Sequence, residues 1–173
     1  CSLHGPILKE NLSYYIDKYN TWSKYEPEED GVLVAYASIH GNTAEAAKKM
    51  ASILEEKGAK KVVLFDLSRQ DMSEAVTNAF IYDKLILAGA TYDGGVFPCM
   101  EEFLLHLKSK NYQKRTVGII ENGSWAPMAA KTMEGILEKM RDLTICDSVV
   151  TIKSVAKEKD FENMRQLADE ILK

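Results

Sequence analysis

Cysteine is scarce. The chain has three, Cys1, Cys99 and Cys146, far apart and in no CxxC pair. Their spacing excludes a zinc site of the usual kind and a disulfide framework. An odd cysteine count, with no recognisable secretory leader, predicts a reducing compartment and hence the cytoplasm. Histidine is equally sparse, with only His4, His40 and His106, so a self-contained multi-histidine metal centre is not expected. No apolar run reaches the length of a membrane-spanning helix, which predicts no membrane association. Positive charge is not in excess either. Lys+Arg number 22 against 26 Asp+Glu, for a net charge of −4, and no basic patch marks a nucleic-acid surface. There are no repeats and no low-complexity tracts. What is present, 46% hydrophobic and 28% charged residues over 173 positions, is ordinary for one globular domain with a substantial core.

One boundary is legible, at the acidic, proline-bearing stretch Glu26-Pro27-Glu28-Glu29-Asp30. Before it, Leu8, Leu12, Tyr15, Ile16 and Tyr19 recur at helical spacing and predict a linker helix, followed by Trp22 and Tyr25. After it, short apolar runs alternate with amphipathic segments. The runs at 31–37, 62–65, 85–90, 116–121 and 148–153 predict five strands, the first buried on both faces. Between and after them come five helices. Ala47, Met50, Ala51 and Leu54 mark the first, ended by Gly58. Met72, Ala75, Val76, Ala79 and Phe80 mark the second, with Asp71 as N-cap. Met100, Phe103, Leu104 and Leu107 mark the third, with Pro98 near its start. Ala130, Met133, Ile136, Leu137 and Met140 mark the fourth, and Phe161, Met164, Ala168, Ile171 and Leu172 the fifth. Strict alternation predicts an α/β fold: a doubly wound parallel sheet with helices on both faces. Its ligands should bind at the strand C-termini, where the strand order reverses.

Three strand-to-helix loops carry unusual residues. Ser38-Ile39-His40-Gly41-Asn42-Thr43 combines hydroxyls, an amide and a glycine at a helix N-terminus, which suits an anion held largely by neutral donors. The same residues would also make a plain turn with an N-cap, and the loop matches neither GxGxxG nor the Walker A sequence. Thr91-Tyr92-Asp93-Gly94-Gly95 has paired glycines that permit positive φ and close approach to a planar ligand; otherwise it is a flexible surface turn. Asn122-Gly123-Ser124-Trp125 sets an aromatic on a loop, for a ligand or for packing on the domain itself. All three would open at one edge of the sheet.

These residues also carry a family resemblance. Ser38-Ile39-His40-Gly41-Asn42-Thr43 resembles the flavodoxin phosphate loop, commonly Ser/Thr-x-Thr-Gly-Asn-Thr, with His40 where free flavodoxins usually have Thr. Thr91-Tyr92-Asp93-Gly94-Gly95 and Gly123-Ser124-Trp125 resemble the flavin domain of flavodiiron proteins. That family often has Asn in place of Asp93 and a glycine just before the tryptophan. Ser2-Leu3-His4-Gly5-Pro6-Ile7 resembles the end of its metal domain and Tyr19-Asn20-Thr21-Trp22 its linker. The resemblance spans essentially the whole chain. It implies a flavodoxin-like sheet in the order 2-1-3-4-5, with residues 1–28 as linker and end of a missing metal domain and 29–173 as an FMN-binding domain.

The resemblance further implies FMN held by Ser38, Ile39, His40, Gly41, Asn42, Thr43, Thr91, Tyr92, Asp93, Gly94, Gly95, Asn122, Gly123, Ser124 and Trp125, with Tyr92 and Trp125 stacking on the ring. The domain would take electrons from rubredoxin or a reductase and pass them to a diiron domain that reduces oxygen or nitric oxide; a homodimer is compatible with this. His4 matches one iron ligand of that family, but the chain lacks the His-x-Glu-x-Asp cluster and has no catalytic or metal residue of its own in this reading. Alternatives are a flavodoxin-like NAD(P)H:quinone oxidoreductase, a stand-alone flavodoxin-type carrier, or a module that has lost its flavin. A phosphoacceptor receiver shares the topology but needs acidic residues after the first and third strands, where Ser38-Ile39-His40 and Ala90-Thr91-Tyr92 stand.

Overall fold

Gly31 to Ala37 are buried without a break, as a strand with helices on both faces must be. They belong to β1 (Glu29–Ala37), which pairs in parallel with β2 (Val62–Asp66) on one side and β3 (Tyr82–Tyr92) on the other. The computed structural model describes residues 4–173, so Cys1 and the Ser2 and Leu3 of the N-terminal resemblance lie outside the described residues. The remaining elements are α1 (Leu12–Ser23), α2 (Asn42–Glu56), α3 (Met72–Ile81), β4 (Gly95–Val96), α4 (Pro98–Ser109), β5 (Arg115–Asn122), α5 (Ala129–Leu137), β6 (Leu143–Ile152) and α6 (Glu158–Ile171). The main sheet runs β2-β1-β3-β5-β6, all parallel. The short β4 pairs only with the end of β3. Leaving β4 aside, this is the predicted order 2-1-3-4-5.

Strand alternation divides the core in two. Leu33, Ala35, Leu85, Leu87, Val117 and Ile119 face α3, α4 and α5 through Val76, Met100, Phe103, Leu104 and Met133. Val32, Val34, Ile86, Ile120, Val150 and Ile152 face α2 and α6 through Met50, Ile53, Leu54, Met164 and Leu167. Local signals act as expected. Asp71 accepts a hydrogen bond from the Ser73 N–H at 2.7 Å, Pro98 opens α4, and Gly58 follows α2 with φ +89°.

Several bounds differ from the sequence reading. Leu8 precedes α1, and Met140 lies beyond α5, which ends at Leu137. β3 runs on to Tyr92 because its end is paired by β4. β6 begins at Leu143 rather than Ser148, because a bulge interrupts its register opposite Val117 and Ile119. The bulge brings two N–H groups, of Asp147 and Ser148, onto the Glu170 carboxylate at 2.5 and 3.1 Å. An Asp-Ser pair in mid-strand breaks the apolar run, and the distant Glu170 accepts the two N–H groups that the bulge frees.

At the opposite edge from the candidate loops, Arg115 is 3% exposed, and no carboxylate is hydrogen-bonded to it among the described residues. Its guanidinium donates to the carbonyls of Tyr82 (2.8 Å), Tyr25 (2.7 Å), Phe80 (2.6 Å), Gln113 (3.1 Å) and Lys114 (3.1 Å). One side chain thus ties the segment after α1 to the starts of β3 and β5. Truncation strands these acceptors, so Arg115→Ala should lower the unfolding free energy by about 2–4 kcal/mol in urea titration. A loss below ~0.5 kcal/mol, the range of surface substitutions, would contradict that role. Nearby, the Tyr112 hydroxyl is buried without a hydrogen-bond partner among the described residues. Tyr112→Phe should therefore leave stability unchanged or raise it by up to ~1 kcal/mol. A loss of that size would reveal a bond to the hydroxyl.

Candidate functional site

The crossover from β1 through α2 and the one from β3 through α4 lie on opposite faces of the sheet, and the space between the C-terminal ends of β1 and β3 is the switch point. A cavity of about 230 Å³ opens there. Ile39, His40, Asn42 and Thr43 line it from the first loop, Ala90 and Thr91 from β3, Asn122, Gly123 and Ser124 from the third loop, and Ser154 from the loop after β6. The first and third loops therefore meet at one site, and of the second only Thr91, at the end of β3, reaches it. None of the lining residues is Asp, Glu, Lys or Arg, and His40 is the one that can ionise.

The first loop is closed by the Gly41 N–H donating to Ser38 Oγ at 3.1 Å. Ser38 thus shapes the loop and does not line the cavity. Gly41 is the N-cap of α2, with φ +91°, and supplies no side-chain cap. The first-turn N–H groups of α2 consequently face the cavity end with their dipole uncapped by a side chain. Thr43 is buried, at 3% exposed, while His40 and Ile39 are exposed at the rim.

The second loop is a two-residue hairpin turn. Thr91 pairs with Val96 and Tyr92 with Gly95, and Asp93 and Gly94 between them have φ +45° and +73°. Two consecutive positive φ values are those of a type I′ turn, for which Asp-Gly is a favoured pair. Of the two glycines only Gly94 uses its conformational freedom; Gly95 sits in β4. The Tyr92 ring is half exposed and packs edge-on to Phe97, centroids 5.8 Å apart. Tyr92, Asp93, Gly94 and Gly95 stand beside the cavity in sequence but do not line it.

The third loop is held from three directions. Asn122 donates through Nδ2 to the Ser154 carbonyl at 2.8 Å and accepts from the Ser154 N–H at 3.0 Å. Thr91 Oγ1 accepts from the N–H groups of Met128 (3.0 Å) and Ala129 (3.3 Å), capping α5 from a different loop. The buried Glu121 carboxylate accepts from the Ala130 N–H at 2.9 Å and the Thr151 hydroxyl at 2.8 Å. A Cβ on Gly123 would lie 2.9 Å from Thr91 Oγ1 and 3.0 Å from Pro127 Cα, so the loop can close only on glycine. Trp125 is 96% exposed and does not pack on the domain.

Sequence reasoning missed Ser154, whose hydroxyl is 2.9 Å from that of Ser124. Its signal was its place just after the last predicted strand, at the same edge as the other loops. It also missed the part played by Glu121 as a cap. Chemically, the site offers hydroxyls, an amide, helix N–H groups and one imidazole, a donor set for a phosphate-bearing ligand and not for a metal. Among the described residues no three His, Cys, Asp or Glu side chains come together to hold a metal ion; His4 is exposed. No helix among the described residues is long and apolar enough to cross a membrane.

Known proteins are similar to this chain in sequence and fold. The chain is 23% identical over 98% of its length to an uncharacterized protein of Methanocaldococcus jannaschii, covering 44% of that protein. It is 24% identical over 70% of its length to the anaerobic nitric oxide reductase flavorubredoxin of Aliivibrio fischeri, covering 25% of it. It thus spans less than half the length of these relatives. Among solved structures, rubredoxin oxygen:oxidoreductase from Desulfovibrio gigas superposes with a TM-score of 0.85 at 20% identity, over 92% of this chain and 39% of that one. A flavo di-iron protein variant from Thermotoga maritima gives 0.79 at 27% identity, over 98% and 42%. A Streptococcus pneumoniae flavodoxin gives 0.69 at 23% identity, over 82% of this chain and 97% of that one. The flavodoxin domain profile matches residues 33–145, which is more than half of the chain: it belongs to the flavodoxin domain family.

Proposed function

We propose that this domain binds FMN at the switch-point cavity and carries electrons. The observation behind this reading is the convergence of the first and third loops, Thr91 and Ser154 on one cavity whose lining has no carboxylate and includes the first residues of α2, a helix with no side-chain cap. A phosphate monoester fits that donor set. Its oxygens would accept from the N–H groups at the start of α2, the side chains of Asn42 and Thr43, and His40, with Ser124 and Ser154 at the far wall. Ile39 would cover the phosphate from the rim. Ser38, Thr91, Asn122 and Gly123 would act by holding the loops.

When bound, FMN supplies one- and two-electron redox chemistry. The chain's part is to orient the ring between the hairpin and the third loop. Tyr92 and Trp125 are the exposed aromatics there, suited to covering its two faces. Asp93, in the hairpin turn, would disfavour negative charge on a ring close to it. Gly94 and Gly95 leave the hairpin without bulk on the ligand side.

The fuller reading rests on the relatives. A flavorubredoxin and a rubredoxin oxygen:oxidoreductase are both longer than this chain, which covers 25% of the one and 39% of the other. Residues 1–28 would then lead from a diiron domain into the flavin domain of 29–173, in the cytoplasm. Rubredoxin or a reductase would donate electrons, and the diiron domain, of the same or a partner subunit, would spend them on oxygen or nitric oxide. The described residues by themselves would then carry electrons without reducing either gas efficiently.

Comparing FMN with riboflavin tests the site. The double variant Asn42→Ala, Thr43→Ala should weaken FMN by about 1.5–3 kcal/mol for each bond lost to the charged phosphate, and riboflavin much less. Equal losses would mean that the loop is only structural. Trp125→Ala should raise the fluorescence of the bound flavin and shift its midpoint potential, with the fold intact by circular dichroism. If both stay unchanged, Trp125 does not stack on the ring.

A further inference from the structure

We propose that His40 takes up a proton when FMN binds, making the phosphate part of the affinity pH-dependent near neutrality; this rests on the FMN reading above. The phosphate loop has no Lys or Arg, and His40 is the one residue lining the cavity that can carry charge. A phosphate monoester above its second ionisation, near pH ~6, carries close to two negative charges. The end of a helix offers about half a positive charge against them. Among the lining side chains only the imidazole of His40 can add a full positive charge, and a nearby dianion favours the charged form of a histidine.

The other ionisable groups around the cavity are committed elsewhere or stand outside it. On α2, Glu45 is paired with Lys48 at 2.7 Å, and Lys49 lies over the Phe161 ring at 5.7 Å. Asp93 is in the exposed hairpin turn. Glu121 is bonded to the Ala130 N–H and to Thr151. Lys153 and Lys157 flank Ser154 in the loop after β6 and are exposed, and neither lines the cavity. His40 is itself exposed at the rim of the cavity.

The sign follows. The bound phosphate raises the pKa of the imidazole. The extra affinity is fully present below the free pKa and is lost as pH rises through the bound one. Because riboflavin lacks the phosphate, it reports everything else that titrates. Between pH ~7 and ~9, above the phosphate's own ionisation, the ratio of FMN to riboflavin affinity should fall by up to tenfold per pH unit.

The test is calorimetric titration of the whole chain with FMN and with riboflavin at pH ~7.5, in two buffers of different ionisation enthalpy. We expect net uptake of a proton fraction with FMN and none with riboflavin. In His40→Thr, which restores the usual flavodoxin residue, FMN should still bind but without proton uptake, and its affinity ratio to riboflavin should be flat with pH. FMN binding to the unmodified chain without proton uptake, or undiminished uptake in His40→Thr, would overturn the proposal and leave FMN binding standing. Failure to bind either flavin would overturn the underlying reading and this one with it.

Discussion

Burial of β1 on both faces is the constraint on which the ligand edge depends. With no exposed face, β1 must be covered by helices above and below the sheet. Right-handed crossovers then send the chain to β2 by way of α2 and onward from β3 to the other face. The two directions of winding part between β1 and β3. The loops that follow these strands cannot cover the gap, and the cavity lies there because of this topology, not because any one residue makes it.

Given that gap, its walls are held in place by side-chain hydrogen bonds. Thr91 caps α5 from the neighbouring strand, Asn122 clamps the backbone of Ser154, and Glu121 neutralises the first turn of α5 from within the sheet. α5 is thereby capped from outside its own loop, while α2 begins at Gly41 with no side-chain cap. The difference leaves one helix N-terminus at the cavity available to an anion. Arg115 does comparable work at the other edge, where its bonds to carbonyls join the segment after α1 to β3 and β5.

The legible parts were those set by local chemistry. Apolar runs marked the strands, Asp71, Pro98 and Gly58 marked helix ends, and the polar loops marked the edge where the cavity lies. What escaped depends on partners distant in sequence. The start of β6 was hidden because the Asp147-Ser148 bulge looks like a strand end until Glu170 is seen to bind it. Ser154 joins the site only through Asn122 and Ser124, both distant in sequence. The paired glycines read alike in sequence, yet only Gly94 sits at positive φ, because strand pairing and not composition decides where the turn falls.

The visible absorption spectrum of the purified chain, followed by identification of any flavin released by acid, tests the central claim most directly. We expect flavin absorbance that is retained on gel filtration, with FMN and not FAD released. A colourless protein that also fails to take up added FMN would contradict it.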